Sequence, residues 1–294
     1  MTTRSFSSSA TAPSCTVRFS QLDVFTDQPM LGNPLAVVHD ATELEQASMQ
    51  RFAAWTHLSE TTFLLPPTLD GADYQVRIFT PGGELPFAGH PTLGSCHAWL
   101  LAGGRPRNPE LIVQQCGIGL VRVRLQDHRL AFAAPPLLRD GPLDNSLLER
   151  IARALGLDRR TIRAHQWVDN GPGWCAVMLD SAQRVRSVRP DFSMIHDLKL
   201  GLIGPQSQGS DTAFEVRAFV PALGVPEDPV TGSLNAGLAL WLMRVGLAPN
   251  RYVAAQGSAL GRSGRIHVER LGEDVWVGGD VTNVIQGTVQ LPLK

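Results

Sequence analysis

"VRIFTPGGELPFAGHPTLG" occupies residues 76–94. It opens as an alternating strand and breaks at a cluster of glycine and proline. It then passes directly into "PTLGSCHAWLLAGG" (91–104), an apolar run with no Asp, Glu, Lys or Arg. Glycine frees φ and proline fixes it, so together they punctuate the backbone. A helix that is apolar on every side is buried on every side. The stretch therefore predicts a strand, a sharp turn and a buried helix, with Pro91 suited to the first helical position.

The same phrase recurs. "VRAFVPALGVPEDPVTGS" begins at Val216, and Arg77, Phe79, Pro81 and Pro86 match Arg217, Phe219, Pro221 and Pro226, each 140 residues on. Upstream, Ala36, Val37 and Asp40 lie over Ala176, Val177 and Asp180 at the same offset. Downstream, "VQQCGIGLVRVRL" near 113 resembles "AAQGSALGRSGRIHV" near 254, with a few residues inserted. Three stretches in one order at one offset predict a chain built from two similar parts. The second apolar helix is "GSLNAGLALWLMRVG" (232–246), with Thr231 or Ser233 as its N-cap. Alternating or β-branched runs such as "LAVVHD", "YQVRIFT", "CAVMLD" and "FEVRAFV" read as strands. The expected fold class is α+β: two domains related by a pseudo-twofold axis, each a curved mixed β-sheet wrapped around a central helix. The boundaries read as 16–135 and 136–294, with the last strand, about 280–294, crossing back to the first domain.

Bulk composition narrows the function classes. The chain has 294 residues, of which 43% are hydrophobic and 18% charged, with a net charge of −1. It offers no basic field for nucleic acid and no polybasic face or long apolar span for a membrane. Four cysteines, Cys15, Cys96, Cys116 and Cys175, are widely spaced and form no Cys-x-x-Cys pair, which fits a reducing, cytoplasmic setting. The first fifteen residues, rich in Ser, Thr and Ala, read as a frayed tail. No G-x-G-x-x-G after a strand, P-loop or G-x-S-x-G elbow occurs. The two lysines, Lys199 and Lys294, lie in no site motif, so pyridoxal phosphate has no evident anchor. His90 and His97 lack metal spacing, and no metal or cofactor is expected.

Polar groups inside the two Gly/Pro loops are the candidates for chemistry. They are Glu84 and His90 in the first and Glu227, Asp228 and Ser233 in the second. Two helix N-termini facing each other present free N–H groups and the positive ends of two dipoles, which suit a small carboxylate. Glu60, in "HLSETTF", lies where a helix (about 42–56) hands over to an apolar strand, so burial there raises its pKa. Each residue has a plainer reading. Glu60 reads equally as a capping or surface glutamate, His90 as a structural histidine, Asp228 before Pro229 as a turn residue, and Ser233 as a helix cap.

"QLDVFTDQPMLGNPLAVV", "LSETTF", "FTPGGELPFAGHPTLG", "EDPVTGS" and "VWVGGDV" together resemble the PhzF-like family of phenazine biosynthesis, which is related to diaminopimelate epimerase. The motifs come in family order from about residue 17 to 290. The resemblance implies two epimerase-like domains around a cleft, often as a homodimer, and cofactor-independent isomerisation of a small carboxylated substrate by a proton shift. It also implies that Glu60 is the catalytic acid/base, that His90, Asp228 and Ser233 bind substrate, and that the backbone N–H groups at Gly89 and Gly232 assist. The related epimerases use paired cysteines, whereas here neither turn is headed by one and Cys96 falls inside the helix. The sequence departs from the family pattern at His57, where an asparagine-like residue is expected, and in "PGGE". The rival reading is a binding or accessory member that keeps the fold with little activity.

Overall fold

The computed structural model describes residues 14–126 and 128–293; the segment expected to be a frayed tail lies almost wholly outside the described residues. The strands are β1 (Ser14–Val24), β2 (Asn33–Val38), β3 (Thr61–Leu65), β4 (Tyr74–Thr80), β5 (Gly83–Leu85), β6 (Leu111–Cys116), β7 (Gly119–Gln126) and β8 (Arg129–Ala133). There follow β9 (Ala164–Trp167), β10 (Trp174–Met178), β11 (Lys199–Pro205), β12 (Phe214–Val220), β13 (Val225–Asp228), β14 (Arg251–Gln256), β15 (Gly264–Leu271), β16 (Asp274–Gly279) and β17 (Val281–Pro292). The α-helices are α1 (Gln46–Thr56), α2 (Gly89–Leu101), α3 (Asn145–Ala154), α4 (Ala182–Ser187) and α5 (Gly232–Arg244).

Strands β1–β8 and β9–β16 pair by the same rules. In each set the first and second strands are antiparallel and the second and third parallel. The fourth is antiparallel to the third and to the short fifth, but parallel to the sixth. The sixth, seventh and eighth form an antiparallel meander. The register repeats too. Ala36 pairs with Thr61 as Ala176 pairs with Gly201, and Tyr74 pairs with Gln114 as Phe214 pairs with Ala254. In these two pairs each partner is displaced by the 140 residues seen in the sequence. The sets are joined by antiparallel pairing of β8 with β16 and of β1 with β17.

Matching ion pairs brace the turns before the two buried helices. Arg77 grips Glu84 through two hydrogen bonds of 2.7 and 2.6 Å, and Arg217 grips Glu227 at 2.9 and 2.7 Å. Each guanidinium also lies over the phenylalanine two residues on, Phe79 or Phe219. Glu84 and Glu227 are thereby committed to holding the strand–turn geometry.

Residues 89–96 of α2 and 232–239 of α5 are buried throughout, within one continuous apolar core. Helix α2 starts two residues before the expected position, so Pro91 is its third residue; a proline there removes no intrahelical bond, because the first four N–H groups have none to make. Thr231 holds the N-cap position of α5 without capping by its side chain, and Ser233 is the second residue inside the helix. No helix among the described residues is long and apolar enough to cross a membrane.

Candidate active site

The two buried helices meet at their first residues. A Cβ added to Gly89 would lie 2.8 Å from Gly232 Cα, and one added to Gly232 would lie 3.0 Å from Gly89 Cα. Glycine at both positions lets the N-termini close to backbone contact. Two sets of orphan N–H groups and two positive dipole ends thus share one locus.

Glu60 reaches this locus from the α1–β3 turn. His57 ends α1 with φ of 58°, a left-handed conformation in which asparagine is commoner than histidine, which accounts physically for the departure at that residue. The Thr56 and Thr61 hydroxyls meet at 3.0 Å and pin the turn from both ends. Glu60 Oε2 comes within 3.3 Å of His90 Nε2, with the two side chains 14% and 5% exposed. Neither atom has a hydrogen-bond partner among the described residues.

Electrostatics set the protonation of this pair. Burial, helped by the nearby Asp228 carboxylate and opposed by Lys199, pushes the Glu60 carboxyl up to about 8. Burial pulls His90 down to about 3, opposed by its hydrogen bond to the Pro34 backbone. Near pH 7 the pair is therefore a protonated carboxyl facing a neutral imidazole. Asn33 Nδ2 donates to Asp228 Oδ1 at 2.9 Å and to the Val230 carbonyl at 2.8 Å, which uses both of its protons. Its 3.4 Å approach to His90 Nδ1 therefore leaves that nitrogen to donate to Pro34. The lone pair of Nε2 then faces Glu60.

Asp228 closes the other side. Thr231 Oγ1 donates to its Oδ2 at 2.5 Å, and Gln256 Nε2 donates to Thr231 Oγ1 at 2.9 Å. Burial raises the Asp228 carboxyl to about 6 against the two hydrogen bonds from Thr231 and Asn33. Ser233 Oγ accepts from Trp174 Nε1 at 3.0 Å, which leaves its own proton free to donate. Trp174 is paired in register with Lys199, whose ammonium is lowered by desolvation and held up by Asp169 and Glu60.

The structure thus brings Glu60, His90, Asp228, Ser233, Gly89 and Gly232 to one place. Sequence reasoning did not find Asn33, Thr231, Trp174, Gln256 or Lys199. Asn33 aligns at the 140-residue offset with Gly173, so the echo gave it no polar counterpart. Cys96 is fully buried inside α2, and burial holds its thiol up at about 12. No cluster of metal-ligating side chains occurs among the described residues.

A family profile described as phenazine biosynthesis-like protein (PhzC-PhzF) matches residues 22–287. Antisense-enhancing sequence 1 of Schizosaccharomyces pombe is 33% identical to the chain over 293 residues, covering 92% of this chain and 97% of that one. Trans-2,3-dihydro-3-hydroxyanthranilate isomerase of Pseudomonas aeruginosa is 33% identical over 259 residues, covering 87% and 91%. Among solved structures, one described as a predicted epimerase from Pseudomonas aeruginosa superposes with a TM-score of 0.75 at 27% identity, covering 93% of this chain and 99% of the other. A hydroxyproline epimerase from Agrobacterium vitis shares the fold alone, with a TM-score of 0.57 at 11% identity over 94% and 93% of the two chains. With nearly its whole length matched in sequence and in topology, the chain belongs to the phenazine biosynthesis-like PhzC-PhzF family.

Proposed function

We propose that the protein is a cofactor-independent isomerase that moves a proton between carbons of a small carboxylated substrate. The observation that carries this reading is the pair of buried, unpartnered atoms Glu60 Oε2 and His90 Nε2, 3.3 Å apart where two helix N-termini meet. Each of these buried atoms faces only the other, at more than ordinary hydrogen-bond length, so both are left to turn to a substrate. The substrate carboxylate would take the helix N–H groups at Gly89 and Gly232 together with the Ser233 hydroxyl. Glu60, once ionised, would remove a proton from carbon and return it elsewhere on the same face. A carboxyl whose pKa lies near the working pH serves in both directions. His90 and Asp228 would orient the substrate and polarise the bond being broken, with Asn33 and Thr231 holding Asp228 in place. Lys199 would offset the charge of ionised Glu60.

The test is solvent-deuterium exchange. Small unsaturated amino and hydroxy carboxylates are incubated in deuterium oxide with wild-type protein and with Glu60→Gln. Wild type incorporates deuterium at carbon and Glu60→Gln loses at least ~10²-fold in rate, the usual contribution of a placed acid–base group. Binding without exchange by the wild type would favour the accessory role, and equal exchange by both proteins would remove Glu60 from the chemistry.

A further inference from the structure

A second polar site lies away from the helix N-termini, on the seam where β8 pairs with β16. A groove of about 140 Å³ opens there, with Gly278 and Gly279 of β16 in its lining. Its walls come from both strand sets: Arg124 and Arg129 from β7 and β8, Arg251 and His267 from β14 and β15.

The arginines are poised and incompletely neutralised. Arg124 is laid over the Trp276 indole at 5.1 Å, which fixes its plane before any ligand arrives. Its carboxylate partner, Glu269, is 2.9 Å from Arg124 and 3.9 Å from Arg251, so one carboxylate serves two guanidiniums. Arg129 pairs with Asp280 at 3.0 Å but is 42% exposed, and Arg251 is 83% exposed. Three arginines thus face two carboxylates among the described residues. His267 titrates lower than usual, chiefly through burial and then through Arg129; Asp280 opposes this by more than either Arg251 or Arg265 adds. Guanidiniums that line one groove from both strand sets, one of them stacked flat, suit a tetrahedral oxyanion with several acceptor oxygens.

We propose that this groove binds a small phosphate-type oxyanion, held between Arg124 and Arg129 on one wall and Arg251 on the other. Such a ligand ties the two strand sets together across the β8–β16 seam. It lies apart from Glu60 and its neighbours, so occupancy requires no active-site group.

The experiment is a calorimetric titration of the full chain with inorganic phosphate, with ionic strength held constant by sodium chloride. The wild type is expected to bind saturably, one phosphate at this groove. Arg251→Gln, a change at an exposed side chain, weakens that binding at least tenfold, whereas Arg150→Gln, at a distant ion pair with Asp197, leaves it unchanged. Three results would overturn the proposal: no saturable binding above the chloride background, undiminished binding by a folded Arg251→Gln protein, or acetate binding as tightly as phosphate. Circular dichroism of both variants separates a lost site from a lost fold.

Discussion

The Glu60 carboxyl is where local structure becomes chemistry. Its pKa near 8 in the folded protein, against 4.5 as the ordinary value, has two consequences. For catalysis, the base form grows as pH rises, so kcat/KM is expected to climb through an apparent pKa near 8; a profile flat from pH 6 to 9 would contradict Glu60 as base. For stability, a raised folded pKa means that the unfolded chain releases this proton first. The contribution from Glu60 is fully present below about 4.5 and is lost as pH rises through about 8. Glu60→Gln cannot ionise, so it should melt at least ~3 °C above wild type at pH 9 and close to it at pH 5. Thermal melts at the two pH values decide this. Asn33 makes a separate prediction. Asn33→Ala leaves one buried oxygen of Asp228 and the Val230 carbonyl without their donor, at a cost of about 1–3 kcal/mol by chemical denaturation. It should also lower activity, because Asp228 loses one of the two hydrogen bonds that hold it ionised. A variant as stable and as active as wild type would show that Asn33 only fills space.

The paired loops and helices explain what could be read from sequence and what could not. The Gly/Pro loops announced both buried helices, and their shared offset announced the shared pairing rules. Arg77 and Glu84 were visible only as an echo and as a polar group in a loop; the structure makes them a brace, as it does Arg217 and Glu227. Strands β6, β11 and β14 were not singled out. β11 reads "KLGLIGP", in which two glycines and a terminal proline mask a strand whose interior is buried on both faces. Asn33 went unread because its role depends on Asp228, far away in sequence, whereas Thr231, three residues from Asp228, was read only as a helix cap. The two braces also differ in burial, and that gives a prediction. Arg217 and Glu227 are 5% and 7% exposed, whereas Arg77 and Glu84 are 24% and 34% exposed. Removing Glu227 strands a buried guanidinium, so Glu227→Ala should cost about 3–5 kcal/mol. Glu84→Ala, with water to replace the lost carboxylate, should cost about 1 kcal/mol or less. Equal losses on urea denaturation would mean that burial does not govern these pairs.

At the scale of the molecule, the chain closes on itself through its last strand. β17 pairs with β1 along nearly its full length, from Ser14 opposite Pro292 to Val24 opposite Val281, with one register shift at Gln21/Leu22. Its Leu291 is buried and Val289 packs beside it, in a cluster with Val17, Phe52, Phe63 and Phe79 that belongs to the β1–β8 set. That set therefore depends on residues distant in sequence, and β1 without β17 would be an open edge with unpaired N–H and C=O groups. The site shares this dependence, since Phe63 belongs to the strand that begins one residue after Glu60. A chain ending at Asp280 should consequently lose cooperative melting and expose apolar surface to a dye such as ANS, while a synthetic peptide of residues 281–294 added in excess should restore part of the transition, because strand pairing and Leu291 burial can form between separate chains. A truncated protein that still melted as sharply as the full chain, at the same temperature, would show that β17 decorates the β1–β8 sheet without completing it.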